Sequence, residues 1–206
     1  MAGKTRITKP VIRYCREIGV NLQNKATETT MKDALSIHRL LLERQTTHEI
    51  VRLPKHIGCA DDLPEVLGLP PFRCLCTRIF LPYEPGRLYT GRHPLVAVIV
   101  TAGSRPAPSV VAEALDVPEV RPAPVDLINE VTDYAAELVA PLLLPANVVM
   151  FVDQQAACVD DVVYTATGEA WTALGIHTLD LFALCDAKPT PIPCTHASDR
   201  PRRSDH

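Results

Sequence analysis

No uninterrupted apolar stretch of the chain is long enough to span a bilayer. Lys4, Arg6 and Lys9 are not followed by the long apolar core of a signal peptide. These absences read as a soluble protein of a reducing, cytoplasmic compartment. Tryptophan is nearly missing, Trp171 being the only one. A strong charge of one sign is missing too: the formal net charge is −3, so no global basic field advertises a nucleic-acid partner. A protein that grips only the end of an RNA needs a local patch rather than a high pI.

Several chemical motifs are also absent. The seven cysteines (Cys15, Cys59, Cys74, Cys76, Cys158, Cys185, Cys194) contain no C-x-x-C pair. Cys74 and Cys76 share one face of an apparent strand, but no second cluster completes a zinc site. They read as ordinary small thiols. The seven histidines form neither H-x-x-x-H nor H-E-x-x-H, so no metal is expected. Without G-x-S-x-G there is no nucleophile elbow, and without a glycine-rich phosphate loop no nucleotide cofactor is expected.

What is present is a chain of 206 residues, 47% of them hydrophobic, enough for one substantial core. Residues 1–30 read as a basic extension, with Val11, Cys15 and Ile18 at helical spacing. Thr30 and Asp33 make a capping pattern before a helix whose apolar face would carry Ala34, Leu35, Ile37, Leu41 and Leu42. His48 to Leu53 alternates as a strand, and Asp61 and Asp62 open a short helix closed by Gly68. Arg73 to Leu81 and Leu95 to Thr101 read as strands joined by a Pro- and Gly-rich excursion from Pro82 to Pro94. Arg87, Arg92 and His93 would give its tip a positive charge, suited to a phosphate if the excursion approaches a pocket. Ser109 to Leu115 and Val125 to Thr132 read as helices. The tail 188–206 is proline-rich, has no periodic apolar face and is expected to be disordered.

The most informative stretch is Asn147 to Leu184. Val148 to Val152 is a continuous apolar run, as in a strand buried on both faces, and it ends at Asp153. Tyr164, Thr165, Ala166, Thr167 and Gly168 read as a flexible polar turn after a further strand. A third short strand and a helix follow. This order resembles the YbaK family, related to the editing domain of bacterial prolyl-tRNA synthetases, whose members hydrolyse wrongly charged aminoacyl-tRNAs. The resemblance runs from about Met31 to Ala187. It implies an α/β fold, a single domain whose mixed, partly closed β-sheet is surrounded by helices.

The resemblance also implies a site. Thr77 falls on a family threonine, and Cys76 falls where the family's functional lysine belongs. Arg78 shares a face with Cys76 and is the better candidate to lend the missing charge, with Arg73 as the other. The family's Gly-Gly-x-Ser-Pro loop aligns with Glu137, Leu138, Val139, Ala140 and Pro141, keeping only the proline. His48 takes the place of a strand tyrosine. Thr77 and Asp153 are the implied catalytic residues; His48, Cys76, Arg78, Ala140, Pro141, Thr167 and Gly168 are the implied substrate-binding ones, around one cavity. Three of them have a structural alternative: capping for Asp153, sheet packing for Thr77, an ordinary strand end for Thr167. Trp171 reads as a packing residue, with a stacking platform for a terminal adenine as the alternative.

Two functions follow. One is an aminoacyl-tRNA deacylase that hydrolyses the ester of a mischarged tRNA, with tRNA and an aminoacyl-tRNA synthetase as the partners implied. The other is a binding protein on the same fold that recognises tRNA, an aminoacyl group or a protein without turnover.

Overall fold

The computed structural model describes residues 31–83 and 95–196, with the side chains of Thr195 and His196 left out. The basic extension 1–30, the excursion residues 84–94 with Arg87 and Arg92, and the tail residues 197–206 lie outside the described residues.

The described chain opens with helix α1 (Ala34–Glu43). Its N-cap is Asp33, whose carboxylate accepts the Ser36 amide at 2.8 Å and the Ser36 hydroxyl at 2.6 Å. The buried stripe is Ala34, Ile37 and Leu41 alone. Leu35 and Leu42, expected on the same face, point to solvent at 50% and 58% exposure. Strand β1 (His48–Arg52) follows, then a 3₁₀ turn (Ala60–Asp62) running into α2 (Leu63–Leu67). Gly68 closes α2 in the left-handed region at φ 65°, which a residue without Cβ adopts at no steric cost.

The next elements are β2 (Cys74–Pro82), β3 (Val96–Thr101), β4 (Ser104–Pro106), α3 (Pro108–Leu115), β5 (Val120–Pro122) and α4 (Val125–Thr132). A 3₁₀ turn (Ala136–Leu138) leads to β6 (Val149–Asp153), α5 (Gln154–Ala157), β7 (Val162–Ala166), β8 (Thr172–His177) and α6 (Thr178–Cys185). Tyr164, Thr165 and Ala166 therefore belong to a strand, and the polar turn begins only at Thr167. Two short strands end the described chain, β9 (Lys188–Thr190) and β10 (Cys194–His196).

One mixed sheet organises the fold in the order β1-β8-β7-β2-β3-β6-β9, with β5 also pairing β2. β2 lies parallel to β7, and β6 parallel to both β3 and β9; the other pairs are antiparallel. This is the expected α/β class. The sheet is open, its path ending at β1 and β9, so the expected partial closure is not formed along it. β2 and β3 pair from Leu75↔Thr101 to Phe80↔Val96. Pro82 is the last residue of β2 rather than the first of the excursion, because it pairs there with Val120 of β5.

Strand alternation sorts the core into two faces. On the first, Leu75, Ile79, Ala97, Ile99, Val163 and Leu174 pack against Ile37, Leu41, Leu127, Val131, Tyr134 and Leu181. On the second, Cys74, Cys76, Phe80, Val98, Val100 and Phe151 pack against Leu53, Leu63, Val66, Val111 and Ile192. Val96 to Val100 of β3 are fully buried, as a central strand covered on both faces requires.

The tail corrects one expectation. Lys188–Thr190 and Cys194–His196 form strands instead of being disordered, and Ile192 in the link between them is 3% exposed. The outer edge of β6 offers an unpaired row of backbone groups, and β9 fills it from Phe151↔Lys188 to Asp153↔Thr190. Proline is tolerated there because β9 is an edge strand.

Candidate functional site: the Asp61 cluster and the Asp153 cavity

On β2, Cys76 and Arg78 point to the second face while Thr77 points to the first, as the alternation of the two cores requires. The second face holds a cluster built on Asp61. Its Oδ1 accepts hydrogen bonds from Arg78 Nη2, from the Gly103 amide at 2.8 Å and from the Cys76 thiol at 3.2 Å. Its Oδ2 accepts from Arg105 Nη2. Two guanidiniums thus meet one carboxylate. Burial alone would push the Asp61 carboxyl up, but the hydrogen bonds from Arg78, Arg105 and Gly103 outweigh it and hold it well below the usual carboxylate range. Burial likewise opposes the charge on Arg78, and the bond to Asp61 overcomes it. Arg78 Nε is buried without a hydrogen-bond partner among the described residues.

The Cys76 thiol is 1% exposed. Burial, and then the negative charge of Asp61, push it well above the ordinary thiol range, so it stays protonated at neutral pH. It is therefore neither a cation nor an activated nucleophile.

β6 ends beside this cluster. Cys76 pairs Val100 and Ile99 pairs Val152, so Asp153 reaches the level of Cys76 with one strand between. Asp153 is 7% exposed and accepts the Ile192 amide at 3.4 Å. It lines a cavity of about 520 Å³ with Ser104, Gln154, Gln155, Cys158 and Cys194. Cys194 links the cavity to the cluster. Burial, then the charge of Asp153, raise its thiol to about 11, against a smaller lowering by Arg78.

The other expected site residues lie elsewhere. Thr77 is on the first face, 7% exposed, and its Oγ1 has no hydrogen-bond partner among the described residues; Thr165 Oγ1 is in the same position. Thr167 Oγ1 shares a 2.6 Å hydrogen bond with Thr172 Oγ1. Gly168, at φ 94°, packs under Tyr134: a Cβ there would sit 2.4 Å from the Lys32 carbonyl and 2.8 Å from the Tyr134 ring. The position therefore requires a residue without a Cβ for this close packing. Ala140 is part of the first-face core, and Pro141 lines a separate hollow of about 320 Å³ with Leu40, Leu144 and Lys188. His48 bonds His38 at 2.8 Å and the Thr46 carbonyl at 2.7 Å on the edge strand β1. Five strand pairings separate β1 from β6, about 24 Å at ordinary strand spacing. The structure therefore brings Cys76, Arg78 and Asp153 near one another, and does not gather the remaining six around them.

Asp61, Arg105, Ser104 and Cys194 were not singled out from the sequence. Asp61 carried only the signal of a helix start. Its partners lie 15, 17, 42 and 44 residues away.

The sequence model of the aminoacyl-tRNA editing domain matches residues 56–184. The chain belongs to the aminoacyl-tRNA editing domain family. That match takes in Asp61, Cys76, Arg78 and Asp153, and leaves α1, β1, β9 and β10 outside. Among solved structures, the hypothetical protein APE2540 is 21% identical with a TM-score of 0.65, over 77% of this chain and 99% of its own. A proposed trans-editing enzyme for prolyl tRNA synthetase is 14% identical with a TM-score of 0.60, over 91% and 98%. At such identities these likenesses concern the fold. No curated protein sequence matches. Among the described residues, no group of three or more His, Cys, Asp or Glu could hold a metal ion. Nor is any helix among them long and apolar enough to cross a membrane.

Proposed function

We propose that this editing-domain protein is an aminoacyl-tRNA deacylase that holds the aminoacyl ester over the Asp153 cavity. In this reading Arg78 supplies the positive charge that Cys76 cannot. The observation that carries it is the Asp61 cluster, where two guanidiniums share one carboxylate beside Asp153. Within the cluster itself the guanidiniums outnumber the carboxylate by one, with Glu137 and Asp153 as the further acids whose charges reach it.

The chemistry asks little of the protein. Water attacks the ester carbonyl, the carbonyl oxygen becomes an oxyanion, and the bond to the ribose oxygen breaks as that oxygen takes a proton. Arg78, whose charge is felt at Cys194 in the cavity wall, is suited to stabilise the oxyanion electrostatically. Asp153 is suited to orient the water. Arg105, half exposed, is suited to a phosphate of the tRNA end. Thr77 has no part in this scheme because it points to the opposite face.

A second reading is recognition without turnover. The neutral Cys76 thiol in the lysine position and the pairing of Arg78 with Asp61 favour it. A deacylation assay on a panel of mischarged tRNAs separates the two. Turnover that falls at least 100-fold in Arg78→Ala supports the enzyme. Measurable tRNA binding with no turnover on any charged tRNA replaces it with the binding protein.

A further inference from the structure

Trp171 lies far from the Asp153 cavity and does not serve the core. Its side chain is 51% exposed, although its backbone is fixed: the Trp171 carbonyl accepts the Leu53 amide at 2.8 Å and the Ala170 carbonyl accepts the Ile57 amide at 3.0 Å. His56 meets the indole edge-on, with ring centroids 5.7 Å apart. Beside it Ile50, Arg52 and Thr172 complete a hollow of about 410 Å³. Arg52 is exposed and has no hydrogen-bond or ion-pair partner among the described residues. Glu169, two residues before Trp171, is engaged by the Thr172 hydroxyl at 2.8 Å.

A rigidly held, half-bare indole next to an unopposed guanidinium suits a flat aromatic ligand that carries a negative charge. We propose that this hollow binds an unpaired nucleobase of single-stranded RNA, stacked on Trp171, with the adjoining phosphate against Arg52. Stacking on an aromatic ring needs only a π-face, so it tolerates any base, and the arginine supplies the backbone contact. The inference rests on the proposed function in one respect, that the RNA is the tRNA acceptor end. Four strand pairings separate β8 from β6, about 19 Å at ordinary strand spacing. The base on Trp171 is then not the one whose ribose carries the ester at Asp153, but another unpaired base further along the strand.

Because Trp171 is the only tryptophan, its fluorescence reports this hollow alone. The experiment titrates the full chain with an uncharged tRNA transcript and with the single-stranded RNA ACCA, and measures affinity separately by filter binding. Expected results are saturable quenching by both RNAs and a 5- to 150-fold weaker tRNA affinity in Trp171→Ala, the roughly 1–3 kcal/mol of one stacked base. Trp171→Phe keeps a ring and should stay within a few-fold of wild type. Arg52→Ala should flatten the slope of log K against log salt by about 0.7, one single-strand phosphate contact. Unchanged melting of each variant shows that the fold is kept. tRNA binding without quenching, with the same affinity in Trp171→Ala, overturns the proposal, as does an absence of tRNA binding at low salt. Quenching and stacking loss in a protein that deacylates nothing would uphold this site and remove the deacylase reading instead.

Discussion

Replacing Asp61 tests the cluster at the centre of the site. In Asp61→Ala, Arg78, whose side chain is only 18% exposed, loses its hydrogen-bonded counter-charge and keeps only the longer-range pull of Glu137, and the Gly103 amide loses its acceptor. Breaking a buried pair costs about 3–5 kcal/mol, and a stranded donor about 1–3 kcal/mol more. Asp61 itself is not fully buried and water can reach Arg105, which is 48% exposed, so its ion pair adds little. Because the pair is only partly buried, the low end of that sum, about 4 kcal/mol, is expected for Asp61→Ala. Asp61→Asn keeps an acceptor and loses the charge, so about 2 kcal/mol is expected. For a protein of this size 1 kcal/mol moves Tm by roughly 2–4 °C, so Asp61→Ala should melt roughly 8–16 °C lower.

The pH dependence has a definite sign. The Asp61 carboxyl is depressed in the folded protein, so its stabilisation is full above the unfolded value of about 3.9 and fades as pH falls through the lower folded value. Urea unfolding at pH 7 and at successively lower pH should show the gap between wild type and Asp61→Asn narrowing only below about pH 4. A gap under about 0.5 kcal/mol at pH 7, or one that widens with acid, would refute the view that Asp61 organises the two arginines.

Further outcomes are expected at three positions. Cys76→Lys returns an ammonium to the family position beside Asp61 and should raise kcat/KM for deacylation about tenfold or more, the rate value of one charge-assisted hydrogen bond. Cys76→Ser should leave the rate within a few-fold, since the thiol is held protonated; a large loss in single-turnover assays would make the enzyme thiol-dependent. Gly168→Ala meets the Lys32 carbonyl and the Tyr134 ring at a positive φ, and should lower unfolding free energy by roughly 2–4 kcal/mol. Equal stability by urea titration would mean the turn relaxes freely. Ile192→Ala should cost about 2–5 kcal/mol if the tail is part of the core, and an unchanged midpoint would show that it is not.

Much of the fold was legible because it is written locally. The apolar run before Asp153 dictated a strand, though Val149 and Met150 at its start are only partly buried; Gly68 dictated a helix end, and alternation along β2 the shared face of Cys76 and Arg78. The family resemblance was legible in the order of these elements, and the match over residues 56–184 agrees with it. What local pattern does not carry is which distant groups meet. Asp61 finds Arg78 and Arg105 only because the turn before α2 packs over the second face of the sheet. The six expected site residues that lie elsewhere show the same limit: position in a motif fixed their place along the chain, while Tyr134 filled the space beside Gly168 and alternation turned Thr77 away. The proline-rich tail is the sharpest case. Its composition offers too little apolar surface to order itself, and the open edge of β6 with a slot for Ile192 supplies the missing partners, which exist only once the sheet has formed.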